Sequence, residues 1–244
     1  TGEAVMRWLG MAAGLALLWV AAPLAAQTPP AAAVAATPAA ATPPTADVAT
    51  PAAPAAVTAP PAPPVRKPAT TNVVMTTSAG TIIIALETER APATAANFLR
   101  YVDQKRYDGT TIYRAMKLGK DGQYGLIQGG ISGNPKRALA PVAHETTAKT
   151  GLTHDDGAIS MARSTPGSAT GDFFITIGPM TGLDADPAAK GDNAGFAVFG
   201  RVVDGMDLVK KIQHLPTSPT LGAGVMKGQM LADPVKILTV RRGK

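Results

Sequence analysis

The sequence predicts a mainly β fold, a closed antiparallel barrel with helices at its open ends. Three observations carry this. Short apolar segments of strand length recur from Asn72 to Arg241, separated by glycine-rich loops. Only two segments show helical periodicity. The last apolar segment can return beside the first, which closes the sheet, removes its edges and ties down the C-terminus.

Taken in order, Asn72 to Thr77 reads as a strand, Ser78-Ala79-Gly80 as a turn, and Thr81 to Glu87 as a second, isoleucine-rich strand, together a hairpin. Pro92 suits the first turn of a helix. Ala95, Phe98, Leu99 and Val102 then recur at the spacing of one helical face, until Tyr107-Asp108-Gly109 breaks it. Further strands are predicted at Thr111 to Ala115, Tyr124 to Gln128, Ala158 to Ala162, Asp172 to Ile177 and Phe196 to Val202. Gly205 to Gln213 is a second helix with Met206, Val209 and Ile212 inward, and Val235 to Arg241 is the last strand.

The N-terminal part has a different character. Arg7 precedes an apolar run from Trp8 to Val20, and small residues lead to Gln27. That pattern is expected of a secretory signal cleaved after Ala26, with Met6 as a natural start and Thr1 to Val5 as an extension. The run is short for a membrane-spanning helix, and Pro23 interrupts it, so a retained anchor is the less favoured reading. Residues 27–70 repeat Ala, Pro and Thr with almost no charge and have no large side chains to bury. They are expected to form a disordered, semi-stiff linker. Residues 71–244 then hold the folded domain, long enough for one core.

Composition excludes several function classes. The chain has 244 residues, 45% hydrophobic, with formal net charge +6 and no cysteine. Disulfides, zinc-thiolate sites, a thiol nucleophile and a lipid-anchored cysteine are all ruled out. The positive charge is spread out, with no basic run interleaved with aromatics, so nucleic-acid binding is not expected. His144-Glu145 and His154-Asp155-Asp156 match no zinc spacing and read as solvated loop. Gly129-Gly130-Ile131-Ser132-Gly133 lacks the ending of a phosphate loop, and Ser168 does not have nucleophile-elbow spacing.

Against that background, Tyr113-Arg114, Leu126-Ile127-Gln128-Gly129-Gly130, Ile159-Ser160-Met161-Ala162, Asp172-Phe173-Phe174-Ile175 and Val198-Phe199-Gly200-Arg201-Val202 stand out as an ordered set. Ala91-Pro92-x-Thr94-x-x-Asn97-Phe98 and Tyr107-Asp108-Gly109-Thr110 extend it. Together these resemble the motifs of cyclophilin-type peptidyl-prolyl cis-trans isomerases, from about Val73 to Val240. The resemblance implies a closed eight-stranded antiparallel β-barrel capped by two α-helices, with a surface groove for X-Pro peptides. It places the catalytic arginine on Arg114 and its glutamine on Gln128. The substrate-binding residues it implies are Met161, Ala162, Phe174 and Leu183, with backbone contacts from Arg163.

Several positions depart from the family. Extra residues, Leu118 to Gln123, separate Arg114 from Gln128. The pocket phenylalanine that precedes the glutamine has Gly125 at its offset and Tyr124 as the nearest aromatic. Phe196 replaces a pocket histidine and preserves a wall, while Asp172 stands where glutamine is common and bears on which peptides are accepted. Gly182 stands where many eukaryotic members carry tryptophan, so tight cyclosporin binding is not implied.

These residue types suit non-covalent catalysis. Twisting an X-Pro amide destroys the resonance that keeps it planar, against a barrier of roughly 20 kcal/mol. The prolyl nitrogen becomes pyramidal and can accept a hydrogen bond. A guanidinium stays charged and presents a rigid fork of donors to that state. The expectation is therefore a periplasmic isomerase, a monomer with no cofactor or metal. It would act on proline-containing peptides and on unfolded or folding exported proteins, without stable membrane insertion after cleavage. The alternative on the same fold is a non-catalytic proline-peptide-binding module or chaperone.

Overall fold

The computed structural model describes residues 67–243. The expected signal segment, and all of the linker but its end, lie outside the described residues. At that end the backbone N–H of Ala69 donates to Glu89, and the Thr88 hydroxyl donates to the Ala69 carbonyl. The domain thus starts to make contacts just before residue 71.

Eight strands follow: β1 (Thr71–Thr77), β2 (Gly80–Leu86), β3 (Thr110–Leu118), β4 (Tyr124–Gly130), β5 (Ala158–Met161), β6 (Phe173–Ile177), β7 (Ala197–Asp204) and β8 (Met230–Arg242). They close into a barrel in the order β1-β2-β7-β5-β6-β4-β3-β8, and every pairing is antiparallel. β8 returns beside β1, with Met75 opposite Val240.

Alternation along the strands divides inside from outside. Ile82, Ile84, Ile112, Ile127, Ile159, Phe173, Ile175 and Ile237 fill the interior. Two helices are expected at the barrel ends, and the described residues contain three. α1 (Pro92–Asp103) inserts Phe98, whose ring meets Tyr107, Phe173 and Phe199 at centroid distances of 4.9–5.7 Å. The additional α2 (Thr147–Thr150) is one turn, capped at its start by Thr146 and ended by Gly151 in a left-handed conformation. So short a helix has no periodicity for the sequence to show. α3 (Met206–Gln213) buries Val209 and Ile212, and packs on β2, β3, β4 and β6.

β8 starts five residues before the position expected for it, because Pro234 reads as a strand boundary. Its pairing with β3 jumps from Ile112–Val235 to Arg114–Met230, so the proline falls in an irregular stretch where no ladder bond is asked of it. The extra residues after Lys117 extend the β3–β4 hairpin, with one 3-10 turn at Lys120–Gly122. They leave Arg114 directly opposite Gln128. The buried Gln213 amide of α3 pins this hairpin through the Met116 and Tyr124 carbonyls.

Candidate active site

Register assembles the site. Arg114 pairs with Gln128, Gln128 with Phe174, and Phe174 with Ser160, so one row crosses β3, β4, β6 and β5. Cross-strand partners share a face, and this row lies on the outer face of the barrel. It borders a groove of about 530 Å³ lined by Arg114, Gln128, Ala162, Phe174, Leu183 and Phe196, among others. Sequence-distant residues with the expected chemistry are thus brought to one surface.

Arg114 is held from two sides. Its Nη1 donates to Gln128 Oε1 at 2.7 Å, while Nε and Nη2 donate to Gln229 Oε1 at 2.9 and 2.7 Å. Half-buried, it has its pKa lowered by desolvation, yet an arginine in such a site remains a cation at neutral pH. Gln229 carries no signal in the sequence. It lies 115 residues from Arg114 and reaches it only because Met230, its neighbour, pairs with Arg114 in the barrel. The Gln229 Nε2 donates to the Val225 carbonyl, which fixes the loop whose Val225 and Met226 side chains form one rim of the groove.

The apolar walls differ in part from expectation. Phe174 and Phe196 meet edge to face at 5.3 Å between centroids, and Leu183 and Ala162 complete that end. Met161, expected to touch the substrate, is 1% exposed and belongs to the barrel core. The period of two explains the correction: Met161 pairs with the inward Phe173, whereas Ser160 pairs with the outward Phe174. Tyr124 is also misplaced by the sequence reading. It is 39% exposed and packs near Gly178 at the end of the hairpin, outside the groove lining. Leu126 takes the wall position instead. Gly125 cannot supply an aromatic there, since its φ is +144° and a Cβ would stand 2.0 Å from the Met116 carbonyl oxygen.

Arg163 does more than offer its backbone. Its side chain is 4% exposed, donates to the Gly195 carbonyl and both oxygens of Asp192, and stacks over Phe196 at 4.9 Å. It therefore steadies the loop that carries the Phe196 wall. Gly182 occupies an open position, where a Cβ would meet nothing within 4 Å and φ is not positive. Gly182→Trp is accordingly expected to change stability by less than about 0.5 kcal/mol and to tighten proline-peptide binding by adding a wall. Titration of a peptide into both proteins, with thermal melts alongside, checks this.

Each of the two segments expected to be solvated loop has one buried residue, while Asp155 and Asp156 stay exposed. Glu145 is 6% exposed and caps α1, and His154 is fully buried. Among the described residues no group of three or more His, Cys, Asp or Glu side chains could hold a metal. His154 Nδ1 lies 2.6 Å from Asp184 Oδ1, and Nε2 lies 3.1 Å from Ser160 Oγ. Its ring also stacks on Phe174 at 5.8 Å. The carboxylate can only accept, so Nδ1 carries the proton and Ser160 donates to Nε2.

Burial lowers the His154 pKa, with Asp184 opposing more weakly. The fold thus favours the neutral ring, and the unfolded chain takes up the proton first as pH falls. Stability is expected to fall below about pH 6.5, until the folded ring is also protonated. Asp103 and Asp108, held low by hydrogen bonds from Arg242 and Arg241, lose their contribution only in the acid range below the usual carboxylate value. Thermal unfolding between about pH 7 and about pH 5 should therefore show a slope that His154→Asn removes.

Comparison with known proteins agrees with this geometry. A family model, cyclophilin type peptidyl-prolyl cis-trans isomerase/CLD, matches residues 72–242. A peptidyl-prolyl cis-trans isomerase of Acinetobacter baylyi is 37% identical over 174 residues, which is 71% of this chain and 86% of that protein. Peptidyl-prolyl cis-trans isomerase A of Dickeya dadantii is 36% identical over 148 residues, 60% of this chain and 73% of the other. The crystal structure of a Cryptosporidium parvum cyclophilin type isomerase has the same fold, with a TM-score of 0.55 at 20% identity over 72% of this chain and 99% of that one. The ordered motifs, the closed barrel and the family match over its length converge: this chain belongs to the cyclophilin-type peptidyl-prolyl cis-trans isomerases.

Proposed function

We propose that this isomerase acts on exported proteins and that Arg114 carries its catalysis. The observation that carries the catalytic assignment is the row Arg114–Gln128–Phe174, which sets a cation beside an apolar wall in one groove. A proline ring held by Phe174, Leu183 and Phe196 would keep one side of the X-Pro bond still. The other side then rotates. A guanidinium has five N–H donors, and the hydrogen bonds to Gln128, Gln229 and the Met116 sulfur engage four of them. One N–H on Nη1 is left for the substrate, to meet the prolyl nitrogen as it becomes pyramidal or to steady the carbonyl oxygen. Because Arg114 is already oriented, little reorganisation is needed when the amide twists.

Exchange spectroscopy on an X-Pro peptide, with and without the domain, tests the activity. Accelerated cis–trans exchange is the expected result. A peptide that binds the groove without faster exchange would leave only a binding module.

The exported location rests on Arg7, the apolar run to Val20 and the small residues before Gln27. Residues 27–70 would then space the domain from the cleavage point. Sequencing the N-terminus of the mature protein should find Gln27. A chain that retains residues 7–26 and sediments with membranes would replace this reading with a tethered one.

A further inference from the structure

Beyond Arg114 and its two glutamines, the groove contains a hydrogen-bonded chain that ends on a carboxylate. Arg114 Nη1 donates to Gln128 Oε1 at 2.7 Å. Gln128 Nε2 donates to the Tyr113 hydroxyl at 2.9 Å, and that hydroxyl donates to Asp172 Oδ1 at 3.3 Å. We propose that Tyr113 and Asp172 are positioning residues, which fix the direction of the Gln128 amide and through it the pose of Arg114. This rests on the catalytic reading of Arg114 given above.

Donor and acceptor chemistry sets the direction. A guanidinium only donates and a carboxylate only accepts. The carboxamide and the phenol between them can each point either way, and the two ends of an amide are nearly identical in shape. Shape alone therefore cannot orient Gln128. With a pure donor at one end and a pure acceptor at the other, only one arrangement satisfies every link. Each proton points from Arg114 toward Asp172.

The acceptor end is itself fixed. The backbone N–H of Ser132 donates to Asp172 Oδ1 at 2.7 Å and that of Gly133 to Oδ2 at 3.1 Å. Both residues have positive φ, 51° and 66°, the paired left-handed turn that aims successive amides at one anion. Burial, then the charge on Asp172, raise the Tyr113 pKa, so the phenol keeps its proton. The Ile112–Arg114 register shift lets Tyr113 and Arg114 reach Gln128 together, where regular alternation would place them on opposite faces. A neutral amide at position 172 could donate as well as accept, whereas the aspartate can only accept, which holds that end of the chain to one role.

A double-mutant cycle with NMR tests the proposal on the whole domain. Tyr113→Phe keeps the ring and removes the link. It is expected to lower kcat about tenfold with KM within about twofold. In a Gln128→Ala background the same change should have no further effect. Independently of turnover, the Gln128 side-chain amide and Arg114 Nε–H resonances should shift in both Tyr113→Phe and Asp172→Asn. Equal losses in both backgrounds, a change in KM alone, or unmoved Gln128 and Arg114 resonances would each overturn the proposal. Failure of the wild-type domain to accelerate exchange would overturn the catalytic reading instead, while the resonances still report on orientation.

Discussion

Arg114→Ala is expected to lower kcat/KM for X-Pro isomerisation by about 100- to 1,000-fold, the usual loss when one preorganised donor to a transition state is removed. The loss should fall on kcat. In the proposed reading ground-state binding rests on Phe174, Leu183 and Phe196, groove residues that the substitution leaves in place. Arg114→Lys should recover little. A single ammonium cannot span Gln128 and Gln229, which the guanidinium reaches at 2.7–2.9 Å from opposite edges. The half-buried lysine would also lack the fork that leaves one N–H for the substrate in the proposed mechanism. Line-shape analysis of a proline peptide gives kcat and KM separately. An Arg114→Ala protein within about threefold of wild type would remove the arginine from the mechanism.

Glu145→Ala should cost about 3 kcal/mol or more of stability, from the loss of a buried helix cap. Helix α1 begins without a side-chain cap at Ala91, and Pro92 has no N–H. The next two donors, the backbone N–H groups of Ala93 and Thr94, go to Glu145 at 3.2 and 2.8 Å, and the Thr94 hydroxyl adds a bond of 2.6 Å. Glu145 thus caps the helix from 51 residues away. Its negative charge also sits at the positive end of the helix dipole. Alanine would leave Thr94, which is fully buried, with two unpaired donors, each costing about 1–3 kcal/mol. Glu145→Gln, which keeps the shape and one acceptor, should lose about half as much. Denaturant unfolding measures both, and a loss under about 1 kcal/mol for alanine would show that water replaces the cap.

The helix end also shows why some features are legible in the sequence and others are not. Pro92 and the Ala95–Phe98–Leu99–Val102 face are local, and local spacing places the start of α1 and its buried face, although the helix ends at Asp103, ahead of the Tyr107 break. Arg114, Gln128 and Phe174 stand out because their motifs occur in order, each with a neighbour that gives it context. Gln229 and Glu145 have no such context. A glutamine after Gly228 and a glutamate after His144 look like any polar residues in a loop. Their partners are fixed by how β8 lies against β3 and how the 131–157 segment crosses the start of α1.

The misreadings have equally specific causes. Met161 lies in the right motif but on the wrong side of its strand, because the motif does not tell which parity faces the barrel interior. Tyr124 is the nearest aromatic in sequence, yet Gly125, with its φ of +144°, and the long hairpin carry it beyond the groove. His154 resembles a solvated histidine beside acidic residues. Packing instead encloses it between Phe174, Ser160 and Asp184.

By itself the sequence determined the strand and helix candidates, the barrel class, the family and the Arg114–Gln128 pair. Each of these depends on local periodicity or on motifs that recur in fixed order. Only the tertiary structure decided which groups hold Arg114, which side chains form the groove wall and how the Gln128 amide is directed. Those outcomes depend on strand register and on the matching of donors to acceptors across β3, β4, β6 and β8. Such matches join residues far apart in the chain, and no stretch of sequence contains both partners.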